Sequence, residues 1–187
     1  MSVHRHQQQQ LIRQAEGYLE LGMYEHALAI AERVDVVSRL TGGDATDPGE
    51  AEDHNQLLGH AAYIKGEALR SLERYEEALV PLLVAAKRSP DDIHIWLAVG
   101  WCYKRTGRLN LAIRALDAAL ATDPGNALLH YNLACYWSLS GEKDRVLEYL
   151  GEALEIDDSY RLLIDEEPDF DPLRNDRDFL ALTSVIV

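Results

Sequence analysis

The stretch Ile93–Asn126, IHIWLAVGWCYKRTGRLNLAIRALDAALATDPGN, decides the fold. Its landmarks are Trp96, Val99, Gly100, Tyr103, Ala112, Leu116, Ala119 and Pro124, bulky and small residues that recur at helical spacing on two successive segments. Thr106-Gly107-Arg108 separates the segments, and Asp123-Pro124-Gly125 ends the second, where Pro stops one helix before the next begins. The stretch therefore reads as a helix hairpin. Moving forward 34 residues recovers His130, Leu133, Ala134, Trp137, Val146, Leu150, Ala153 and Asp158, and moving back 34 recovers Ala62, Lys65, Gly66, Leu69, Ala78, Leu82, Ala85 and Pro90.

Working outward, hairpins are expected over residues 59–92, 93–126 and 127–160, with turns at Ser71-Leu72-Glu73-Arg74, Thr106-Gly107-Arg108 and Ser140-Gly141-Glu142. The small residues Gly66, Gly100, Ala134, Ala78, Ala112, Ala85, Ala119 and Ala153 have a steric purpose. They let paired helices approach to roughly 8–10 Å while Tyr, Trp and Leu fill the surrounding space. Residues 8–41 form a less typical first repeat, with Leu11, Ala15, Tyr18, Gly22, Tyr24 and Ala27 on the same grid once a gap is allowed. That gap, TGGDATDPGEAEDHN, is rich in turn-formers and is expected to be an inserted loop over about 40–56. Its Asp44, Asp47, Glu50, Glu52 and Asp53 miss the alternating spacing and closing Glu of a calcium loop, which leaves a solvated acidic segment.

A sustained 34-residue period with this mixture of large, small and Pro sites resembles the tetratricopeptide repeat (TPR) family. The resemblance runs over roughly residues 8–182. The tail YRLLIDEEPDFDPLRNDRDFLALTSVIV is similar to the one that closes many bacterial TPR arrays, through Asp169, Phe170, Asp171, Pro172, Leu173, Arg174, Phe179 and Leu182. The implied fold is all-α, a right-handed α-solenoid of about four hairpins that forms a single array over 1–187, with 161–187 as a cap. Phe170, Leu173, Phe179 and Leu182 are expected to cover the last repeat's open face, and the apolar Ser184-Val185-Ile186-Val187 to tuck back or mark a contact. Departures from the family pattern are Lys65, Val146 and Asp158, together with the missing Pro after the first repeat.

The resemblance also implies where a ligand sits, because the first helix of each TPR pair lines a concave groove that holds a peptide or helix of a partner protein. Carried across, the groove takes Tyr63, Ile64 and Arg70 from the second repeat, beside His60 and Glu67. The third supplies Leu97, Trp101, Lys104 and Arg105, and the fourth Tyr131, Asn132 and Cys135, beside Leu128. Tyr63, Trp101 and Tyr131 are the expected anchors, since central aromatics carry much of an interface's energy. Asn132 would hold a peptide backbone, and Arg70, Lys104 and Arg105 would form a cationic end that attracts an acidic segment. Only Asn132 fits the Lys, Asn and Arg clamp that holds chaperone tails, the other matching places being Tyr63, Glu67, Ala98 and Leu128.

The 187 residues carry 47% apolar residues, ample for a core, and a formal charge of −14 that argues against nucleic acid. No apolar run suits a membrane span, and MSVHRHQQQQ lacks the features of a secretory signal, so the cytoplasm is expected. Cys102 and Cys135 read as small buried hydrophobes. No nucleophile with its base, phosphate loop or metal-ligand spacing emerges, and so no catalytic residue, cofactor or metal is expected. The expectation is a protein-binding adaptor of the TPR kind. The alternatives are a structural or self-associating subunit working through the cap and apolar end, and a TPR-type secretion chaperone.

Overall fold

The computed structural model describes residues 3–40 and 48–184, and among them all regular structure is helical. Residues 41–47, with Asp44 and Asp47, and the apolar 185–187 lie outside the described residues. The helices fall into two compact units, Met1–Thr106 and Gly107–Val187.

In the first unit, α1 (Val3–Glu20) pairs with α2 (Tyr24–Leu40), and α3 (Pro48–Ser71) with α4 (Tyr75–Arg88), followed by α5 (Ile93–Arg105). The core joins Leu11, Ile12 and Ala15 of α1, Ala31 and Val34 of α2, and Ala61 and Ile64 of α3. Lys65, where the repeat grid expects an apolar residue, instead reaches the carboxylates of Asp35 (3.5 Å) and Glu32 (3.9 Å) on α2. Gly66 marks a close crossing of α3 and α4. A Cβ built there would meet Leu82 Cγ and Cδ2 of α4 at 2.5 Å.

The expected loop over 40–56 is corrected by α3, whose first turns are residues 48–56. Pro at a first helical position removes no needed hydrogen bond, and acids near a helix start suit its dipole. The same acids also have partners: Asp53 pairs with Arg5 of α1, and Glu52 accepts from the Gln56 side chain. Residues taken for loop-formers are thus the entry of the longest described helix.

The second unit holds α6 (Leu109–Thr122), α7 (Ala127–Ser140) and α8 (Lys143–Ile156), then a short turn (Asp158–Tyr160), α9 (Arg161–Ile164), a 3-10 turn (Pro168–Leu173) and α10 (Arg177–Thr183). Leu116, Leu133, Val146 and Leu150 are fully buried, and so is Phe170 of the tail, with Phe179 at 2% exposure. Leu173 and Leu182 are only half-buried. The 3-10 turn packs on α7 and α10 on α8. Lys143 of α8 donates to Asp176 (2.7 Å) and Asp178 (2.8 Å), and Arg161 donates to the Leu182 carbonyl (2.8 Å).

Two details explain why the grid tolerates unlike residues. Trp96 Nε1 donates to the Pro90 carbonyl at 2.7 Å, and 34 residues on His130 Nε2 makes the same link to the Pro124 carbonyl at 2.8 Å. A ring N–H is what the place requires, and both residues supply one. Gly107 (φ +73°) and Gly141 (φ +79°) occupy the left-handed region in their turns, but the matching place in the α3–α4 turn holds Glu73 at φ +59°. A Cβ there is strained.

Candidate functional site

The expected groove residues divide sharply once placed. On α3, Tyr63 is half-buried and Ile64 is 1% exposed. One residue of rotation about the helix separates the face turned outward from the face turned onto α1 and α2. Tyr63 lines a cleft of about 530 Å³ with His60, Arg88, Asp91, Asp92 and Ile95, between α3 and the start of α5. His60 Nε2 lies 2.9 Å from Glu16 of α1. Burial first, then the nearby Glu67 and Asp92, pushes the Tyr63 hydroxyl up to about 12, so it remains a neutral donor at physiological pH.

Trp101 of α5 is 38% exposed, and Lys104 Nζ lies 5.3 Å from the centre of its ring. This is an aromatic surface with a cation already seated on it. Each member of the expected cationic trio has a partner of its own close by. Arg70 forms a two-pronged pair with Glu67 one turn before it (2.8 and 2.7 Å), and Arg105 lies over the Tyr75 ring of α4 at 5.2 Å. The hydrogen bond to Glu67 raises the Arg70 pKa, and the guanidinium stays charged but locally neutralised. Leu97 is half-buried beside them.

On α7 the structure overturns two expectations. Tyr131 and Cys135 are 5% and 2% exposed. The Tyr131 ring sits 5.1 Å from Tyr160 and edge-on to Phe170 at 5.7 Å, and Phe170 in turn lies 5.4 Å from Phe179. The tail therefore lies over the face of α7 on which the groove was expected. Ile64, Tyr131 and Cys135 are interior residues rather than surface ones. Asn132 remains half-buried at the edge, its amide donating to the Leu128 carbonyl of its own helix (2.8 Å), with Leu128 exposed beside it. Signals for the covering of Tyr131 did exist in the tail's Phe170 and Phe179, but the repeat grid alone says nothing of where a cap lies.

Burial lifts the Cys102 thiol to about 12, which leaves it protonated and unsuited to nucleophilic work. Among the described residues no helix is long and apolar enough to cross a membrane. A thiol and two carboxylates far apart along the chain, those of Cys135, Glu167 and Asp169, converge in the second unit.

The chain has recognisable relatives. Residues 93–134 match the sequence model described as tetratricopeptide repeat. Superkiller protein 3 of Schizosaccharomyces pombe is 29% identical over 84 residues, which is 45% of this chain and only 6% of that protein's length. Among solved structures, a MamA structure superposes with a TM-score of 0.69 at 18% identity, covering 81% of this chain and 79% of the other. MamA from Desulfovibrio magneticus RS-1 gives 0.67 at 20% identity, covering 81% and 76%. YrrB, described as a TPR protein with an unusual peptide-binding site, gives 0.55 at 22% identity, covering 83% and 89%. These likenesses place the fold in the all-α class of helix-hairpin solenoids. The repeat's sequence model is matched over 93–134, so that segment carries a tetratricopeptide repeat, and the fold as a whole is similar to that of tetratricopeptide repeat proteins.

Proposed function

We propose that the chain is a non-catalytic adaptor that holds a segment of a partner protein on the face shared by α3 and α5. The observation that carries this reading is Trp101, a large indole left 38% exposed with the Lys104 ammonium over its ring. Such a side chain offers apolar area at low conformational cost, and Trp is enriched among the residues that dominate interfaces. Tyr63 supplies a neutral hydroxyl at the cleft beside α5, and Leu97 of α5 adds apolar surface. Asn132 and Leu128 on α7 offer a second, separate contact set. The fold likeness to YrrB supports a peptide-binding role, and the charge of −14 disfavours nucleic acid as the ligand.

The test is affinity capture from native extract with wild type and a Tyr63→Ala/Trp101→Ala/Lys104→Ala variant of equal helicity. A protein held by wild type and lost by the variant, whose binding segment then changes Trp fluorescence on titration, supports the adaptor. Capture of the same proteins by both refutes this face. A second reading, self-association, is favoured by Leu162, Leu163 and Leu180 of the tail, 81%, 52% and 49% exposed. Under that reading Leu162→Asp/Leu163→Asp changes the mass measured by light scattering, whereas the α3–α5 variant does not.

A further inference from the structure

The tail does more than lay aromatic rings on α7. Glu167 begins its 3-10 turn and Asp169 lies within it, and both carboxylates come beside Cys135 of α7, with one oxygen or sulfur from each residue all within 4.8 Å of one another. Asp169 is 8% exposed and Cys135 is 2% exposed. Glu167 is held in place because its Oε1 accepts from the Asp169 backbone N–H at 3.1 Å. The guanidinium of Arg174 donates to the carbonyls of Ile164 (3.2 Å) and Glu167 (2.9 Å) and to the Asp171 carboxylate (2.6 Å).

A second observation points into the same place. The Tyr131 hydroxyl is buried with no hydrogen-bond partner, in a residue only 5% exposed. Its ring is fixed between Tyr160 and Phe170. Burial raises its pKa, and the next causes are Cys135, Glu167 and Asp169, the three groups of the cluster. Native interiors rarely leave such a group unsatisfied without an ion or ordered water.

We propose that Cys135, Glu167, Asp169 and the Tyr131 hydroxyl form a site for a thiophilic divalent cation of the zinc class, which fastens the closing tail to α7. One sulfur and three oxygens suit a four-coordinate ion of borderline softness, whereas Ca²⁺ needs six to eight oxygens and Mg²⁺ holds to octahedral oxygen geometry. On binding, the Cys135 thiol releases its proton to solvent as the sulfur–metal bond forms, and the carboxylates bind as anions. The phenol binds as a neutral oxygen. Because the ligands come from α7 and from the tail, an ion here stabilises the docked tail over the free one.

The experiment uses the full chain stripped of metal by a chelator and titrated with Co²⁺ alone, then with Zn²⁺. Wild type is expected to take up one Co²⁺ per chain with a thiolate-to-cobalt charge-transfer absorption, and to melt at higher temperature with Zn²⁺. Cys135→Ala should abolish the band, Cys102→Ala should retain it, and Asp169→Asn should weaken binding at least about tenfold. A hundredfold excess of Mg²⁺ or Ca²⁺ should leave the band intact. Absence of the band in wild type at millimolar Co²⁺, or its persistence in Cys135→Ala, overturns the site. Asp169→Asn keeps the test decisive if Cys135→Ala fails to fold: undiminished cobalt affinity in that variant also overturns it.

Discussion

Replacing Gly66 by Ala should destabilise the protein, although Ala is the better helix former. In an open helix position the change gains about 0.5–1 kcal/mol. At Gly66 the new methyl would stand 2.5 Å from Leu82 Cγ and Cδ2, and Leu82 is fully buried. Overpacking of a closed core costs about 1–3 kcal/mol. The crowding term therefore outweighs the propensity term, for a net loss of about 1–2 kcal/mol. Gly17 in α1 and Gly151 in α8 are the controls, since a Cβ at either meets nothing within 4 Å. Both Gly→Ala changes should stabilise by about 0.5–1 kcal/mol. The decisive step is a double-mutant cycle with Leu82→Ala, which removes the obstructing atoms. In that background Gly66→Ala should change sign and stabilise, giving a coupling of about 2 kcal/mol. Urea unfolding followed by far-ultraviolet circular dichroism, compared at constant slope, reads all four corners. If Gly66→Ala stabilises wild type as much as Gly151→Ala does, the close crossing of α3 and α4 is wrong.

Three further outcomes are expected. Glu73→Gly should stabilise the α3–α4 turn by about 1 kcal/mol by removing a Cβ from the left-handed region, whereas Gly141→Ala should destabilise by a similar amount; thermal melts decide both. Phe170→Ala should cost about 3–5 kcal/mol in urea unfolding, because it opens a cavity between Tyr131 and Phe179. The Lys143–Asp176 pair should add stability only within a pH window. Its hydrogen bond lowers the Asp176 pKa, so that contribution is present above the unfolded value near about 4 and is lost as pH falls through the folded one. The same bond raises the Lys143 pKa, so its contribution is present below about 10 and is lost as pH rises through the folded value. Lys143→Met should flatten the plot of melting temperature against pH at both ends, and an unchanged plot would count against the pair.

The hairpins were legible because burial follows the 34-residue grid: Leu82, Leu116 and Leu150 share one place in it and are all fully buried. Unlike pairs on that grid, such as Trp96 and His130, look like noise until the shared bond to a Pro carbonyl explains them. The acids before Gln56 were misread because local composition favours a turn, while the Arg5–Asp53 pair that gives one of them a place on a helix comes from 48 residues away. The groove was harder still. Tyr63 is half-buried and Trp101 38% exposed, but Ile64 belongs to the contact with α1 and α2, and Tyr131 is covered by residues of the tail. Which face a distant segment will cover is a tertiary fact, and no periodicity encodes it. Cys135 is buried as a small hydrophobe would be, but its acidic neighbours lie more than thirty positions downstream, where no local pattern links them to it.

The docked tail also has a consequence for how an array of this kind can lengthen. With the 3-10 turn lying on α7 and α10 on α8, the bed that another hairpin would use after α8 is already taken. A duplicated hairpin inserted between Ile156 and Asp158 would compete with Phe170 and Phe179 for the same rings, and one of the two would be expelled. Insertions upstream of α7 meet no such rival. Growth by duplication is therefore polar, and a designer extending the chain would graft new units ahead of Ala127 and carry residues 127–184 along unchanged as a removable end-piece.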